Sequence, residues 1–256
     1  MHELSKVCPK LYLKESIIMP DGSYIPEPDY VKYLGVHFDN KFNFKRHIDI
    51  ICCKINRIVG ILWKGEHLNV DAKKMIYHSL VESHLNYAIV TWASSFSKNL
   101  SELSSSEHIP EGLKSIQSVQ NKVIRAIFRK PRFNKSLQMY TSNTPLFKEL
   151  KVLKLFDLYC FNLASLAHEF YYEKNLPDKI AENFTKTSDI SSRNTRNCEY
   201  SLYYKTPKLV STLRKPSIAA TNVWNSLPLN IRQLKSKLNF KSKLKEFYLE
   251  KYNKPS

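Results

Sequence analysis

Ile48, Ile51, Ile55, Ile58 and Leu62 recur at intervals of 3, 4, 3 and 4 residues. A strand would scatter such a series over both of its faces. A helix of 3.6 residues per turn gathers it into one stripe. The other sides of the same stretch carry Arg46, Lys54, Arg57 and Lys64. This segment is therefore an amphipathic helix with a basic outer surface, and the rest of the chain has to cover its apolar stripe. Upstream the pattern is different. Lys10–Met19 is rich in β-branched and aromatic residues, Pro20-Asp21-Gly22-Ser23 signals a turn, and Tyr30–Phe38 reads as a strand interrupted at Gly35. These residues form a small antiparallel unit of two or three strands, too small to be stable alone.

Downstream the helical period persists. Asp71 is a plausible cap for a second helix running to about Trp92, with Ile76, Leu80, Tyr87 and Ile89 among its apolar positions. The serine-rich stretch Ser94–Ser106 is a loop and a possible boundary. A third helix spans roughly Glu111–Lys130, with Leu113, Ile116, Val123 and Ile127 on its buried side and Gln120 in the same register. Lys122, Arg125 and Arg129 fall on another of its faces, and Pro131 stops it. Thr144-Pro145 looks like an N-cap followed by proline at the first helical position. It opens a helical region that extends to about Tyr172 and breaks near Val152–Leu155. Asn183–Thr206 reads as polar loop, Ser217–Ser226 as a short helix and Phe240–Tyr252 as a final amphipathic one. The fold class expected is mostly α, with a small antiparallel β unit at the N-terminus, a helical bundle and a C-terminal helical domain.

Charge narrows the partners. The chain of 256 residues carries a formal net charge of +17. Residues 1–100 hold 13 Lys and Arg against 10 Asp and Glu, whereas residues 101–256 hold 27 against 13. Such an excess points to a polyanion, most often nucleic acid, meeting the later part of the chain. The five cysteines (Cys8, Cys52, Cys53, Cys160 and Cys198) are odd in number and show no C-x-x-C spacing, which argues against a disulfide framework or a four-ligand zinc site. No apolar run approaches the ~20 residues that span a bilayer, and Met1–Lys10 lacks the apolar core of a signal peptide. An intracellular protein, nuclear or cytoplasmic, with no membrane partner is expected. The glycine-rich phosphate cradles, H-E-x-x-H and G-x-S-x-G are all absent, so no small-molecule ligand is expected.

Four segments carry a likeness. Lys32-Tyr33-Leu34-Gly35-Val36 is followed by Phe38-Asp39 and by Phe44-Lys45-Arg46-His47-Ile48. Ser79–Tyr87 is followed by Trp92. Ile116–Lys122 is followed by Arg125 and Ile127, and Trp224-Asn225-Ser226-Leu227-Pro228 by Phe240-Lys241. In this order they resemble the region that follows the catalytic palm in reverse transcriptases of non-LTR retrotransposons, the jockey/CR1-like group. The resemblance covers roughly residues 30–250. Each piece alone is short and weak, and the order is what makes the likeness specific.

The resemblance implies that residues 1–40 end a palm and include a primer-grip hairpin, that residues 41–100 form a thumb, and that residues 101–256 form a basic helical domain. It implies an RNA-directed DNA polymerase as parent, with Mg2+ held by paired aspartates upstream. This chain has no adjacent Asp-Asp, and two-metal chemistry needs carboxylates converging on ions about 3.5–4 Å apart. The chain is therefore expected to lack the catalytic carboxylates and to be the C-terminal portion of such an enzyme, its partners being primer–template RNA and DNA and the missing palm and fingers. Met1 would start a truncated reading frame or mark where a fragment was cut.

Tyr33, Leu34 and Gly35 match the primer grip, where a residue without Cβ lets a backbone approach closely; a plain strand bulge is the alternative. Arg46, Lys54, Arg57 and Lys64 suit phosphate contact along the primer–template, or a solvated helix face. Lys122, Arg125, Arg129, Lys130 and Arg132, interleaved with Phe128 and Phe133, suit single strands whose bases stack on rings. Arg193 and Arg196, with Lys205, Lys208, Arg214 and Lys215, belong either to an RNA-contacting loop or to a mobile basic linker. His47 is expected to hydrogen-bond within the helical packing. Two rival readings stay open: a free-standing, catalytically inactive nucleic-acid-binding protein, and a relic without function.

Overall fold

The computed structural model describes residues 20–22, 28–94, 109–134, 138–173, 176–190, 200–204 and 215–253. It is mostly helical, as the periodicities require. Among the described residues, sheet is confined to two small hairpins, and no helix is long and apolar enough to cross a membrane.

The first hairpin pairs β1 (Tyr30–Tyr33) with β2 (Val36–Asp39), Tyr33 facing Val36. What reads in sequence as one interrupted strand is thus two strands around the two-residue turn Leu34-Gly35. Both turn residues take positive φ, +46° and +81°, as a type I′ turn demands. Asp39 then closes the exit, its Oδ1 accepting from the backbone N–H of Lys41 and Asn43 at 3.2 and 2.9 Å.

Helix α1 (Lys45–Lys64) buries the whole stripe Ile48, Ile51, Ile55, Ile58 and Leu62, each side chain contributing about 1.5–3 kcal/mol. It packs along α5 (Glu111–Phe128), whose buried side is the one expected. Between them the second helix is not continuous. Segment α2 (Val70–Ile76) passes into a π-helical stretch (Tyr77–Glu82) and α3 (Ser83–Asn86). The run breaks at Ala88, in the left-handed region at φ 52°, before α4 (Ile89–Trp92). The indole of Trp92 donates to the Tyr87 carbonyl at 2.8 Å and holds the break. The cap is Asn69 and not Asp71: the Asn69 Oδ1 accepts from the Ala72 N–H at 2.8 Å.

A second hairpin, β3 (Phe133–Asn134) with β4 (Met139–Tyr140), follows α5. Then α6 (Thr144–Leu150) ends at Lys151 in the left-handed region, and α7 (Leu155–His168) begins after the expected break. Thr144 lies inside α6, Asn143 being the residue before it, and neither side chain caps the helix. α7 is buried on nearly every side and forms the centre of the C-terminal half. After a π-helical turn (Glu169–Glu173) come α8 (Asp178–Ala181) and α9 (Thr187–Ile190). Lys186 bridges to Leu202, with Phe184 and Leu202 buried, so the polar stretch read as loop contributes to the core within its described residues. Helix α10 (Pro216–Ser226) packs against α7 through Ala219, Ala220, Val223 and Trp224. Short α11 (Leu229–Arg232), α12 (Lys237–Glu250) and a 3-10 turn (Lys251–Asn253) follow.

The Trp224-Asn225 pair explains its own motif. The Trp224 indole donates to the Tyr200 carbonyl at 2.8 Å. The Asn225 amide accepts from the Leu202 N–H at 3.0 Å and donates to the Leu202 carbonyl at 2.8 Å, replacing a strand partner. The apolar core runs from Val36 to Tyr248 as one cluster. The expected boundary at residue 100 falls between α4 and α5, and residues 95–108 there lie outside the described set.

Candidate nucleic-acid interface

The basic residues of α1 stand where the period places them. Arg46, Arg57 and Lys64 are separated by 11 and 7 residues, close to three and two whole turns, so they fall on one exposed line with Lys54 beside it. Arg46 also lies over the Tyr30 ring, its Cζ 4.0 Å from the centroid. The groove between hairpin and helix is lined by Arg46, Lys54 and Arg57, but also by Asp29, Asp39 and Asp49. Its local field is mixed.

At the hairpin tip Tyr33 and Leu34 are 64% and 72% exposed. The Leu34 carbonyl accepts from the Tyr87 hydroxyl, and a Cβ on Gly35 would meet the Tyr87 ring at 3.4 Å. The tip is thus tied to the break between α3 and α4. A bulge is excluded as its form.

The residues of the second cluster separate in three dimensions. Arg125 turns inward, 8% exposed, and its guanidinium donates to the carbonyls of Pro131 and Thr141 and to the Thr141 hydroxyl. It ties the β3–β4 hairpin onto α5 instead of sharing the outer face expected with Lys122 and Arg129. Burial, then the nearby Arg132, push its guanidinium below its ordinary value. Arg129 points the other way. It pairs with Glu66 at 2.8 Å and donates to the Trp63 carbonyl at 3.1 Å, holding the Glu66 carboxyl below its ordinary range. Lys130 lies 6.0 Å from the Phe128 centroid. Arg193 and Arg196, with Lys205, Lys208 and Arg214, lie outside the described residues.

Lys122, Arg125 and Arg132 do come together, with partners that no sequence signal singled out. A groove of about 660 Å³ lies between α5 and the β3–β4 hairpin, and Lys114 and Tyr140 complete its charged and aromatic lining. Tyr140 is exposed, held edge-on by Phe133 at 5.4 Å, with Arg132 over its face at 5.2 Å. Among the described residues no acid lines this groove, although Lys114 pairs with Glu111 at its edge. A cleft at α2, α6 and α12 gathers Lys74, Lys148, Lys151 and Lys245, but Glu246 and Glu250 line it too. These lysines are scattered over the sequence and only the packing collects them.

Over 137 residues, 52% of this chain, the protein is 28% identical to the Drosophila melanogaster protein named "Probable RNA-directed DNA polymerase from transposon X-element". The chain is similar to a transposon-encoded polymerase. The likeness supports an origin related to reverse transcriptases, and the chain spans 13% of that relative's length. No family model matches it, and no solved structure matches it. Among the described residues no group of three or more His, Cys, Asp or Glu could hold a metal ion. The described residues therefore do not fit the Mg2+ site that the resemblance implies for a whole polymerase.

His47 departs from expectation. It is 5% exposed, neither ring nitrogen has a hydrogen-bond partner, and the ring sits between those of His37 and Trp92 at 6.3 and 6.1 Å. Burial first, then the charges of His37 and Lys54, push it down to about 4.

Proposed function

We propose that this chain grips nucleic acid as the thumb and following region of a jockey-type retrotransposon reverse transcriptase. Its own share is to hold primer–template and element RNA, not to catalyse. The observation that carries the reading is the groove formed by Lys114, Lys122, Arg125, Arg132 and Tyr140, with no acid among its described lining residues. Cations attract the phosphates and an exposed ring offers a face for a base; Lys114 is shared with Glu111, which leaves Lys122 and Arg132 as the principal free cations among those lining residues. In this reading α1 is the first thumb helix, its Arg46–Lys64 line tracks a duplex, and the Tyr33-Leu34-Gly35 tip meets the primer strand.

The test is the salt dependence of binding to a recessed RNA–DNA hybrid carrying a single-stranded overhang, followed by fluorescence anisotropy. We expect log affinity to fall linearly with log salt. Lys122→Gln with Arg132→Gln should reduce the slope measured on a single strand by about 1.4, at about 0.7 per lost phosphate contact. Binding with no salt dependence, or an unchanged slope in the double variant, would overturn the reading.

A further inference from the structure

The basic groove does not end at Asn121. A second, smaller cavity of about 210 Å³ opens beside it, and the two share Ile109, Gln117, Asn121 and Asn143 in their linings. Beyond the shared residues the smaller cavity is closed by Thr144, Lys154 and Phe156.

The chemistry changes across this junction. The groove is rimmed by guanidinium and ammonium groups and suits a sugar-phosphate chain. The pocket is lined by three amides, a hydroxyl and one aromatic ring, and among the described residues by no acid. Its one cation is engaged: Lys154 Nζ donates to the Thr144 hydroxyl at 2.8 Å. Two of the amides are engaged with one another, the Gln117 Nε2 donating to the Asn121 Oδ1 at 3.1 Å. The Gln117 Oε1 is taken by the Leu155 N–H at 3.2 Å. Asn143 is different. Its Oδ1 is shut off from solvent and has no hydrogen-bond partner, a costly condition for a polar atom. Nor does it serve the helix behind it, since Asn143 makes no side-chain cap to α6. Asn143 lines the cavity, and a turn of its side chain brings this unpartnered acceptor to the cavity wall, where it can take a ligand N–H.

Size selects among ligands. The pocket lies below the roughly 300 Å³ at which sites for drug-sized molecules begin. It therefore takes one flat ring system and leaves any attached sugar and phosphate outside, in the groove. Amide edges with an aromatic wall are the means by which proteins read a base taken out of its stack.

We propose that the α5–α6 pocket receives a single unstacked base of a single-stranded RNA whose backbone crosses the adjoining groove, and that it prefers a base with an exocyclic amino group, adenine or cytosine, over uracil. Such a base carries an amino donor beside a ring-nitrogen acceptor, a pair that amide side chains can meet. The Asn143 Oδ1 takes the amino N–H. Uracil carries no amino group. The inference rests on the nucleic-acid reading above and adds base selection to it.

The experiment uses the full chain and three labelled oligoribonucleotides of equal length: all-uridine, uridine with one central adenosine, and uridine with an abasic residue at that place. Anisotropy titrations should show the single adenosine binding about tenfold more tightly than either of the others. In Asn143→Leu that preference should vanish. Asn143 caps nothing with its side chain, so the variant should fold, and its melting curve checks this. Equal affinity of the wild-type chain for the three oligonucleotides, which requires no variant, would overturn the proposal and leave general binding standing. Retention of the preference in a folded Asn143→Leu variant would overturn it as well. Absence of salt-dependent binding to every oligonucleotide and to the hybrid would remove the nucleic-acid reading along with it.

Discussion

Gln120 shows how much one polar side chain can organise. It is fully buried, and its Nε2 donates to the Tyr77 hydroxyl at 3.0 Å and to the Leu153 carbonyl at 2.9 Å. Its Oε1 accepts from the Leu155 N–H at 3.1 Å and the Gln117 Nε2 at 3.1 Å. The backbone between α6 and α7 thus finds its missing partners on α5. Replacing Gln120 by leucine leaves the Tyr77 hydroxyl and the Leu153 carbonyl buried without this partner, at about 1–3 kcal/mol each, while the Leu155 N–H and the Gln117 amide keep the Gln117 Oε1 and the Asn121 Oδ1. We expect Gln120→Leu to destabilise the chain by about 3 kcal/mol in a urea titration. Loss of less than about 1 kcal/mol would contradict this account. His47 supplies a second residue-scale expectation. Its folded value of about 4 lies below the ordinary 6.5, so the unfolded chain takes up the proton first. The stability it contributes is present above pH 6.5 and is lost as pH falls toward 4, by about 3 kcal/mol at the rate of about 1.4 kcal/mol per pH unit. In His47→Phe that part of the acid sensitivity should disappear from stability measured between pH 7 and 4.

At the scale of elements, the β1–β2 hairpin carries a local conflict. A type I′ turn calls for asparagine or glycine at its first central position, and here Leu34 occupies it at φ 46°. Its side chain is mostly in solvent, so packing does not repay the strain. Leu34→Asn should stabilise the chain by about 1 kcal/mol, the order of the left-handed penalty it removes. No gain in melting temperature would mean that Leu34 makes a contact in the folded chain that outweighs the turn. Strain kept at an exposed tip fits the gripping role proposed for it. The β3–β4 hairpin is held in the opposite way, by Arg125, which the hairpin covers on the side of α5 away from the apolar face.

For the molecule as a whole, the basic surfaces divide the work. The α1 line is long and straight but shares its groove with aspartates, whereas the α5–β4 groove is short and aromatic, with no acid among its described lining residues. The α1 line should therefore matter most for a duplex and the groove for a single strand. Arg46→Gln, Arg57→Gln and Lys64→Gln together should lower the salt slope for an RNA–DNA hybrid by about 2 to 3 and leave that for a single strand within about 0.5. Equal effects on the two substrates would show that the surfaces do not act separately.

The helices were legible because periodicity is a local property. The α1 stripe, the buried side of α5 and the break before Leu155 each rest on residues within a few turns of one another, and backbone geometry alone decides which face they share. The second helix was legible only in part: Ile89 and Trp92 are buried, but Leu80 and Tyr87, expected on the apolar side, are 43% and 54% exposed, and the π-helical stretch turns Tyr77, Val81 and Leu85 to the core instead. The partners of polar side chains were not legible. Lys122, Arg125 and Arg129 repeat at 3 and 4 like one face, yet one remains on the surface, one is drawn under a hairpin and one pairs with Glu66. Nothing within a few residues of Asn143 marks it as the wall of a pocket, because the opposite wall belongs to α5, more than twenty residues away. A charge or an amide is assigned its task by whichever distant group the packing brings within about 3 Å, and that is settled only when the whole core closes.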